Sequence, residues 1–251
     1  MMVATMISMT EKQGIRFDRA RSEGLPGWKR ALDLLGLIVF GPGLLVLGAG
    51  VAIIIKLGSR GPIFFRQMRV GHRGEQFLLY KFRTMHVDAE TEIHRRHLET
   101  LIKDANAPMT KLDDAEDPRV IPLGAILRAT GLDELPQFIN VLRGEMSIVG
   151  PRPCIPYEYE RYAPHHRKRL DAVPGLTGLW QVSGKNKTTF QEMVQLDVRY
   201  GREKNVWLDL WIMIRTVPAL VEQVRDSRAA RRNKAAASAG TFENSVQSTQ
   251  L

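Results

Sequence analysis

The longest uncharged stretch of the chain runs from Leu34 to Ile55 and dominates its pattern of apolar and polar positions. A membrane-spanning helix needs about 20 apolar residues, so this stretch is long enough to enter a bilayer. Gly41-Pro42-Gly43 lies near its middle, and a proline inside a helix removes a hydrogen bond and kinks the helix. The arm from Trp28 to Phe40 would be about 20 Å long, which reaches into one leaflet without crossing the core.

Basic residues flank this stretch on both sides, and positive charge marks the cytoplasmic side of a membrane segment. Lys29 and Arg30 precede it, and Lys56, Arg60, Arg66 and Arg69 follow it. The pattern favours a re-entrant helix that dips into the membrane, turns at its proline and returns. A helix that crosses the bilayer and a buried helix of a soluble protein are the alternatives.

Shorter patterns along the rest of the chain predict a compact domain. Extended segments are expected at 63–70 and 77–82, around a glycine-rich turn. Helices are expected over 89–103, 123–129, 133–143, 157–170, 190–200 and 207–224. The last helix carries Trp207 and Trp211 four residues apart, which suits either the membrane interface or core packing.

The predicted fold class is α/β and mostly helical, with a compact catalytic domain, an N-terminal re-entrant membrane helix and interfacial amphipathic helices. The predicted organisation is a flexible N-terminus at 1–27, the re-entrant helix at 28–57, a cytoplasmic domain at 58–224 and a disordered tail at 225–251. The tail is assigned from its shift to arginine, alanine, serine and glutamine.

The charge of the chain predicts an anionic partner. The 251 residues carry a formal net charge of +9, and the pI is about 9.9. Nucleic acid, anionic lipid and a phosphorylated substrate are the candidates. A nucleic-acid role leaves the apolar helix unexplained, and the sequence contains no RNA-binding signature or zinc-finger spacing. The single cysteine, Cys154, forms no intrachain disulfide, which suits a reducing, cytosolic-facing location.

The acidic pair Asp133-Glu134 is the main candidate for chemistry. Pro136 fits best in the first turn of a helix, so the helix should begin near Leu132 or Asp133. Both carboxylates then lie at its positive N-terminal end, which favours their ionised forms. An ionised aspartate can attack phosphorus, and a neighbouring carboxylate can hold Mg²⁺. Simple helix capping is the alternative explanation of two acids at this place.

Three groups of residues could supply the positive charge that a phosphorylated substrate requires. They are Lys81 with Arg83 on one face of an extended segment, Arg152 held between Pro151 and Pro153, and Arg128 shortly before the acidic pair. Taken alone, each also fits an ordinary role in a solvated edge strand, a turn or a helix cap.

Together these motifs resemble the bacterial sugar transferases, the monotopic polyprenyl-phosphate phosphoglycosyl transferases. The matching stretches follow the order of that family and are 61–67, 80–85, 132–137, 147–153 and 174–184. The resemblance covers roughly Lys29 to Val224. Two departures are Gly41 before the helix proline, where serine is expected, and Lys185, where arginine is usual. Lysine keeps the charge but loses the bidentate fork of arginine.

The resemblance implies a two-step reaction at the cytoplasmic face of the bacterial inner membrane. Asp133 would attack a UDP-sugar, release UMP and hold a sugar-phosphate, which polyprenyl phosphate would then accept. This reaction initiates polysaccharide or glycoconjugate assembly. Glu134 would act as a base or a metal helper, with Mg²⁺ held by Asp133 and Glu134. The implied substrate-binding residues are Lys81, Arg83, Arg128, Pro151, Arg152, Pro153 and Lys185.

Two other classes of function remain as alternatives, a non-catalytic membrane scaffold and a basic nucleic-acid binder. The donor sugar is open between a hexose, which is favoured by resemblance at 179–183, and an N-acetylated sugar. The glycan pathway and the oligomeric state are open as well.

Overall fold

The computed structural model of the chain describes residues 24–85, 108–109, 120–121 and 123–248. The predicted helix at 89–103 and nearly all of the predicted flexible N-terminus lie outside these ranges. The helices are α1 Gly27–Gly58, α2 Gly124–Thr130, α3 Phe138–Leu142, α4 Pro156–Arg161, α5 Pro164–Arg167, α6 Leu179–Val182, α7 Phe190–Glu203 and α8 Val206–Ser248. The strands are β1 Phe64–Val70, β2 Gln76–Phe82, β3 Ser147–Val149 and β4 Gly175–Thr177. The predicted fold class, α/β and mostly helical, is confirmed.

Two short sheets organise the domain. Strands β1 and β2 are the two predicted extended segments, and they pair as an antiparallel hairpin with Phe64 opposite Phe82. Strands β3 and β4 pair in parallel, and this pairing was not predicted because three-residue strands are too short to show an alternating pattern. A side chain at Gly175 would meet the backbone nitrogen of Gly150 at 2.0 Å, so only glycine allows this close approach.

Helix α1 contacts the domain near both of its ends. Leu37 packs in a cluster with Val141 and Met146. Near the other end, Val51 and Ile55 pack in a second cluster with Phe82, Ile121 and Leu127. The middle of the helix is exposed, and Leu45 and Val46 each expose 76% of their surface. Length and composition allow this helix to enter a membrane.

Buried polar groups hold the first arm of α1 on the domain. The Lys29 ammonium donates hydrogen bonds to the Tyr200 hydroxyl and the Asp209 carboxylate, and all three residues are buried. One oxygen of Asp33 accepts hydrogen bonds from the Ser147 hydroxyl and the Ile148 amide, each at 2.9 Å. Because β3 begins at Ser147, the membrane-helix arm is tied directly to this strand.

The structure differs from the sequence predictions in two helical regions. The helix expected over 157–170 is divided into α4, α5 and the 3-10 segment Lys168–Asp171, since Pro164 cannot continue the hydrogen bonding of α4. The last helix continues to Ser248 instead of ending at Val224. The physical reason is that the added segment contains no proline and is rich in alanine and arginine, which favour helix.

Candidate active site

The acidic pair lies in the first turn of a tight helical segment, as the sequence predicts. Gly131 ends α2 in a left-handed conformation, with φ at +73°, and the 3-10 segment Leu132–Gln137 starts immediately after it. Pro136 lies inside this segment, and α3 continues from it. Asp133 is buried and 8% exposed, whereas a third of the Glu134 side chain is exposed. The two carboxylates therefore have different environments despite their adjacency.

Glu134 forms an ion pair with a lysine of the hairpin. Lys81, near the end of β2, places its ammonium nitrogen 2.9 Å from Oε1 of Glu134. Burial alone would raise the pKa of Glu134, but Lys81, Arg152 and Lys185 together hold that pKa well below the usual range. Glu134 is therefore ionised at neutral pH and lies in a region of positive potential.

Arg152 is presented by a rigid turn, as predicted from the prolines on either side. The Arg169 guanidinium donates a hydrogen bond to the backbone oxygen of Arg152. The backbone oxygens of Pro151 and Pro153 accept hydrogen bonds from the Gly175 amide and the Arg69 guanidinium. Because all three carbonyl groups of the turn accept hydrogen bonds, its backbone conformation is fixed. The Arg152 side chain lines the pocket.

A small pocket brings Glu134, Lys81 and Arg152 together and adds residues that sequence reasoning missed, whereas Asp133 is not one of its lining residues. Its polar lining consists of Lys81, Glu134, Arg152, Arg69, Gln137 and Gln181. Arg69, Gln137 and Gln181 were not predicted. Gln137 and Gln181 belong to stretches that resemble the family, and this membership is the sequence signal that could have identified them. Arg69 lies two residues beyond the family-like stretch 61–67. Burial, and then the charge of Arg152, lowers the pKa of Arg69 to about 10, so two guanidinium groups lie close together here.

Three other predicted substrate-binding residues, Arg83, Arg128 and Lys185, are not lining residues of this pocket. Arg83 follows the last residue of β2 and donates hydrogen bonds to the backbone oxygens of Ser59 and Pro62. It therefore supports the turn after α1 and is not a lining residue of the pocket, unlike Lys81. The predicted shared face is absent because the strand ends at Phe82.

Arg128 and Lys185 lie beside α8. Arg128 occupies the last turn of α2, one turn before the acidic pair. The Lys185 ammonium donates a hydrogen bond to the side chain of Gln223, and the same glutamine donates to the backbone oxygens of Arg128 and Ala129. Gln223 therefore joins the two predicted basic positions through α8, and Lys185 still acts electrostatically on Glu134.

The donor set of the site suits Mg²⁺ only together with a substrate. Within the described ranges, no group of three or more histidine, cysteine or acidic residues could hold a metal ion. Mg²⁺, however, commonly binds through one or two carboxylates plus substrate phosphates and water. Asp133 and Glu134 supply such a pair of carboxylates beside a cationic pocket, so the residues present fit a substrate-assisted Mg²⁺ site.

Sequence comparisons identify relatives over most of the chain. A family model described as "Bacterial sugar transferase" matches residues 26–223. "Galactosyl transferase CpsE" of Streptococcus agalactiae is 45% identical over 197 residues, which cover 77% of this chain and 42% of that protein. "Exopolysaccharide production protein ExoY" of Sinorhizobium fredii is 40% identical over 203 residues, which cover 76% of this chain and 84% of that protein.

A third relative has a name that specifies a reaction. "UDP-glucose:undecaprenyl-phosphate glucose-1-phosphate transferase" of Caulobacter vibrioides is 38% identical over 205 residues, which cover 77% of this chain and 69% of that protein. The chain thus spans less than half of the streptococcal relative and more than two thirds of the other two.

Proposed function

Because this chain belongs to the bacterial sugar transferase family, we propose that it transfers a sugar 1-phosphate from a UDP-sugar to polyprenyl phosphate. The family resemblance predicted from the motifs is confirmed by the match over 26–223. The observation that carries the proposal is the acidic pair in a first helical turn beside a pocket lined by Lys81 and Arg152. The product is a polyprenyl-diphosphate-linked sugar that begins a glycan.

The proposed reaction has two displacement steps at one phosphorus atom. First, a carboxylate oxygen of Asp133 attacks the β-phosphorus of the UDP-sugar. A bond forms between that oxygen and phosphorus, the bond from phosphorus to UMP breaks, and UMP leaves with the electron pair. Second, a phosphate oxygen of polyprenyl phosphate attacks the same phosphorus. The acyl-phosphate bond then breaks and the Asp133 carboxylate is restored.

The surrounding residues perform positioning and charge neutralisation, which dominate catalysis of phosphoryl transfer. Lys81 and Arg152 bind phosphate oxygens, and Lys185 adds positive potential at Glu134. Glu134 orients the Lys81 ammonium through their ion pair. Burial of Asp133 removes water from the nucleophile and strengthens each of these electrostatic interactions.

Mg²⁺ held by Asp133 and Glu134 would supply further positive charge to the diphosphate of the donor. This role requires only the carboxylate pair described above and phosphate oxygens from the substrate.

We further propose that α1 is re-entrant and places the site at the cytoplasmic face of the inner membrane. A straight helix of the length of Gly27–Gly58 would be about 48 Å long and would separate its ends across a bilayer. Both ends of α1 instead contact one domain, while its middle around Pro42 is exposed. The exposed Trp207 and Trp211 of α8 suit the adjoining lipid interface.

The chemical proposal is tested by UMP release and by capture of the intermediate. Purified protein in detergent, with Mg²⁺, is given UDP-sugars that differ in the sugar, and UMP is quantified. We expect release from at least one donor and a sugar-phosphate adduct on Asp133 detected by mass spectrometry. Asp133→Asn should abolish both, because an amide is a poor nucleophile, whereas Asp226→Asn on exposed α8 should change neither.

Two outcomes would contradict the chemical proposal. Unchanged UMP release by Asp133→Asn would remove the nucleophile assignment. No UMP from any donor would instead favour a membrane scaffold that keeps the fold.

A further inference from the structure

We propose that Arg69 and Gln181 form a donor-binding subsite, in which Arg69 donates a hydrogen bond to a phosphate oxygen and Gln181 accepts one from a hydroxyl group. The inference rests on the proposed function and adds two residues, with separate roles, to the same pocket. Its starting point is two buried polar atoms that have no hydrogen-bond partner among the described residues, Nε of Arg69 and Oε1 of Gln181. Both residues line the pocket beside Glu134 and Arg152.

Arg69 is held rigidly, and its Nε atom has no hydrogen-bond partner among the described residues. Only 6% of its surface is exposed. One terminal nitrogen donates to the Pro153 backbone oxygen at 3.2 Å, and the other donates to Oε1 of Gln67 at 2.8 Å. The remaining Nε–H group is buried and unsatisfied, which costs free energy unless a ligand completes it. The fork of an arginine fixed in this way suits a phosphate oxygen.

The charge around Arg69 indicates an anion as that ligand. Arg152 and Lys81 line the same pocket, and Glu134 is the acidic residue opposite them. Two guanidinium groups and one ammonium group thus surround one lining carboxylate, so positive charge is in excess. A bound phosphate would relieve the repulsion between Arg69 and Arg152 that burial intensifies.

Gln181 requires a ligand group of the opposite kind. Its Oε1 atom is a hydrogen-bond acceptor, and an ionised phosphate is an acceptor as well, so the two cannot pair. The partner must be a hydrogen-bond donor, and the donor groups nearest to the diphosphate of a UDP-sugar are the hydroxyls on either side of it, on the sugar and on the ribose. The backbone at Gly178 lies directly against this amide, because a side chain there would meet Oε1 at 2.6 Å. The amide is therefore confined to the pocket wall.

The experiment measures discrimination between donors that differ by one hydroxyl. The accepted UDP-sugar is compared with analogues deoxygenated singly at each sugar position and at the ribose 2′ and 3′ positions. Wild-type protein should lose about tenfold or more in kcat/KM for UMP release with the analogue that lacks the recognised hydroxyl. Gln181→Met keeps the size of the side chain without its acceptor, and it should treat that analogue and the parent donor alike.

The responsive position identifies the source of the hydroxyl, sugar or ribose. Gln181→Met that retains the wild-type discrimination at every position would overturn the role of Gln181. Calorimetric binding of the same donors is measured in parallel, since binding requires no turnover. Loss of discrimination in binding by a protein that releases no UMP would keep the subsite and reject the proposed reaction.

Arg69→Lys tests the phosphate contact, with Gln67→Leu as the matched control. Both variants break the hydrogen bond between Gln67 and Arg69. Arg69→Lys in addition removes the Nε–H donor and the guanidinium contact with the Pro153 carbonyl, so the melting temperature is compared as well. Arg69→Lys should raise the KM for the donor about tenfold, and Gln67→Leu should leave it within about twofold. Equal effects of the two variants, at equal melting temperature, would reduce Arg69 to a structural role.

If Arg69→Lys fails to fold, an unchanged KM for Gln67→Leu and binding of inorganic phosphate that competes with the donor support the contact. The absence of such competition overturns it.

Discussion

Two lysine–carboxylate pairs in different regions of the molecule show how similar groups acquire different roles. Lys29 and Asp209 join α1 to α8, and their side chains are only 3% and 1% exposed. Lys81 and Glu134 join β2 to the 3-10 segment, and their side chains are 17% and 33% exposed. The first pair also includes the buried Tyr200 hydroxyl, whereas the second faces a pocket with further cations.

The difference lies in what remains available to a ligand. A fully buried pair is already complete, and removing one member leaves an uncompensated charge in a low-dielectric interior. A pair on a pocket wall costs less to disrupt and still interacts with a substrate that enters. We therefore propose that Lys29 determines how α1 sits on the domain and that Lys81 influences what the site binds.

The largest expected effect comes from breaking the buried pair. Lys29→Met leaves Asp209 charged and unpaired, which should cost roughly 3–5 kcal/mol of stability. At a few degrees per kcal/mol, the melting temperature in detergent should fall by roughly 10 °C. The double variant Lys29→Met with Asp209→Leu should recover much of this loss, because Asp209 is then no longer left as a charge without its lysine partner. A double variant as unstable as the single one would show that packing, and not charge, holds α1.

Breaking the pocket pair should affect activity more than stability. Lys81→Met removes a cation that neutralises phosphate charge, so UMP release should fall about 100-fold. The melting temperature should change little, because partly exposed ion pairs contribute at most about 1 kcal/mol. Both quantities are measured on the same preparation. A large thermal shift with normal activity in the folded fraction would place Lys81 with Lys29 as a structural residue.

A third substitution sharpens the comparison by separating Lys81 from its neighbour Arg83. Arg83 donates to the backbone oxygens of Ser59 and Pro62 at the end of α1. Lysine cannot reproduce this two-point contact, so Arg83→Lys should cost about 1 kcal/mol of stability. The KM for the donor should remain unchanged. A loss of UMP release like that of Lys81→Met, or a rise in KM, would restore the prediction that both cations bind the diphosphate.

The smallest effect is expected for a pair on the open surface. Lys187 and Glu222 lie within 2.5 Å of each other, but both side chains are more than half exposed. Screening by water and salt leaves such a pair with little influence. Lys187→Ala should therefore leave the melting temperature and UMP release within experimental error. A clear loss of donor binding would instead extend the site toward α8.

Local patterns were sufficient for much of the fold and for the acidic pair. The uncharged run predicts α1, the alternation around the turn predicts the β1–β2 hairpin, and Pro136 predicts a helical turn that begins at the acids. Each of these signals depends on neighbours within a few residues. The break at Pro164 follows from the same rules and should have been predicted, whereas β3 and β4 are too short to carry a pattern.

The pocket itself could be predicted only in part, because its residues come from separate parts of the chain. Lys81, Glu134 and Arg152 were predicted from motifs, but Arg69 and Gln181 enter the site through folding. Arg69 reaches the Pro153 carbonyl across 84 positions of sequence. Arg83 shows the opposite case. The sequence predicts that Lys81 and Arg83 act together, but only Lys81 lines the pocket, whereas Arg83 supports the turn after α1.

Composition, local periodicity and the order of motifs were enough to predict the apolar helix, the family and an acidic pair at a helix start, because each of these is a property of neighbouring residues. The packing of distant segments settles which lysine is buried and which one lines the pocket. Lys29 and Lys81 are chemically identical, and their roles differ through the acids that distant segments bring to them. Burial and partner geometry are properties of the packed chain, so they become visible only when α8 meets α1 and β2 meets the acidic turn.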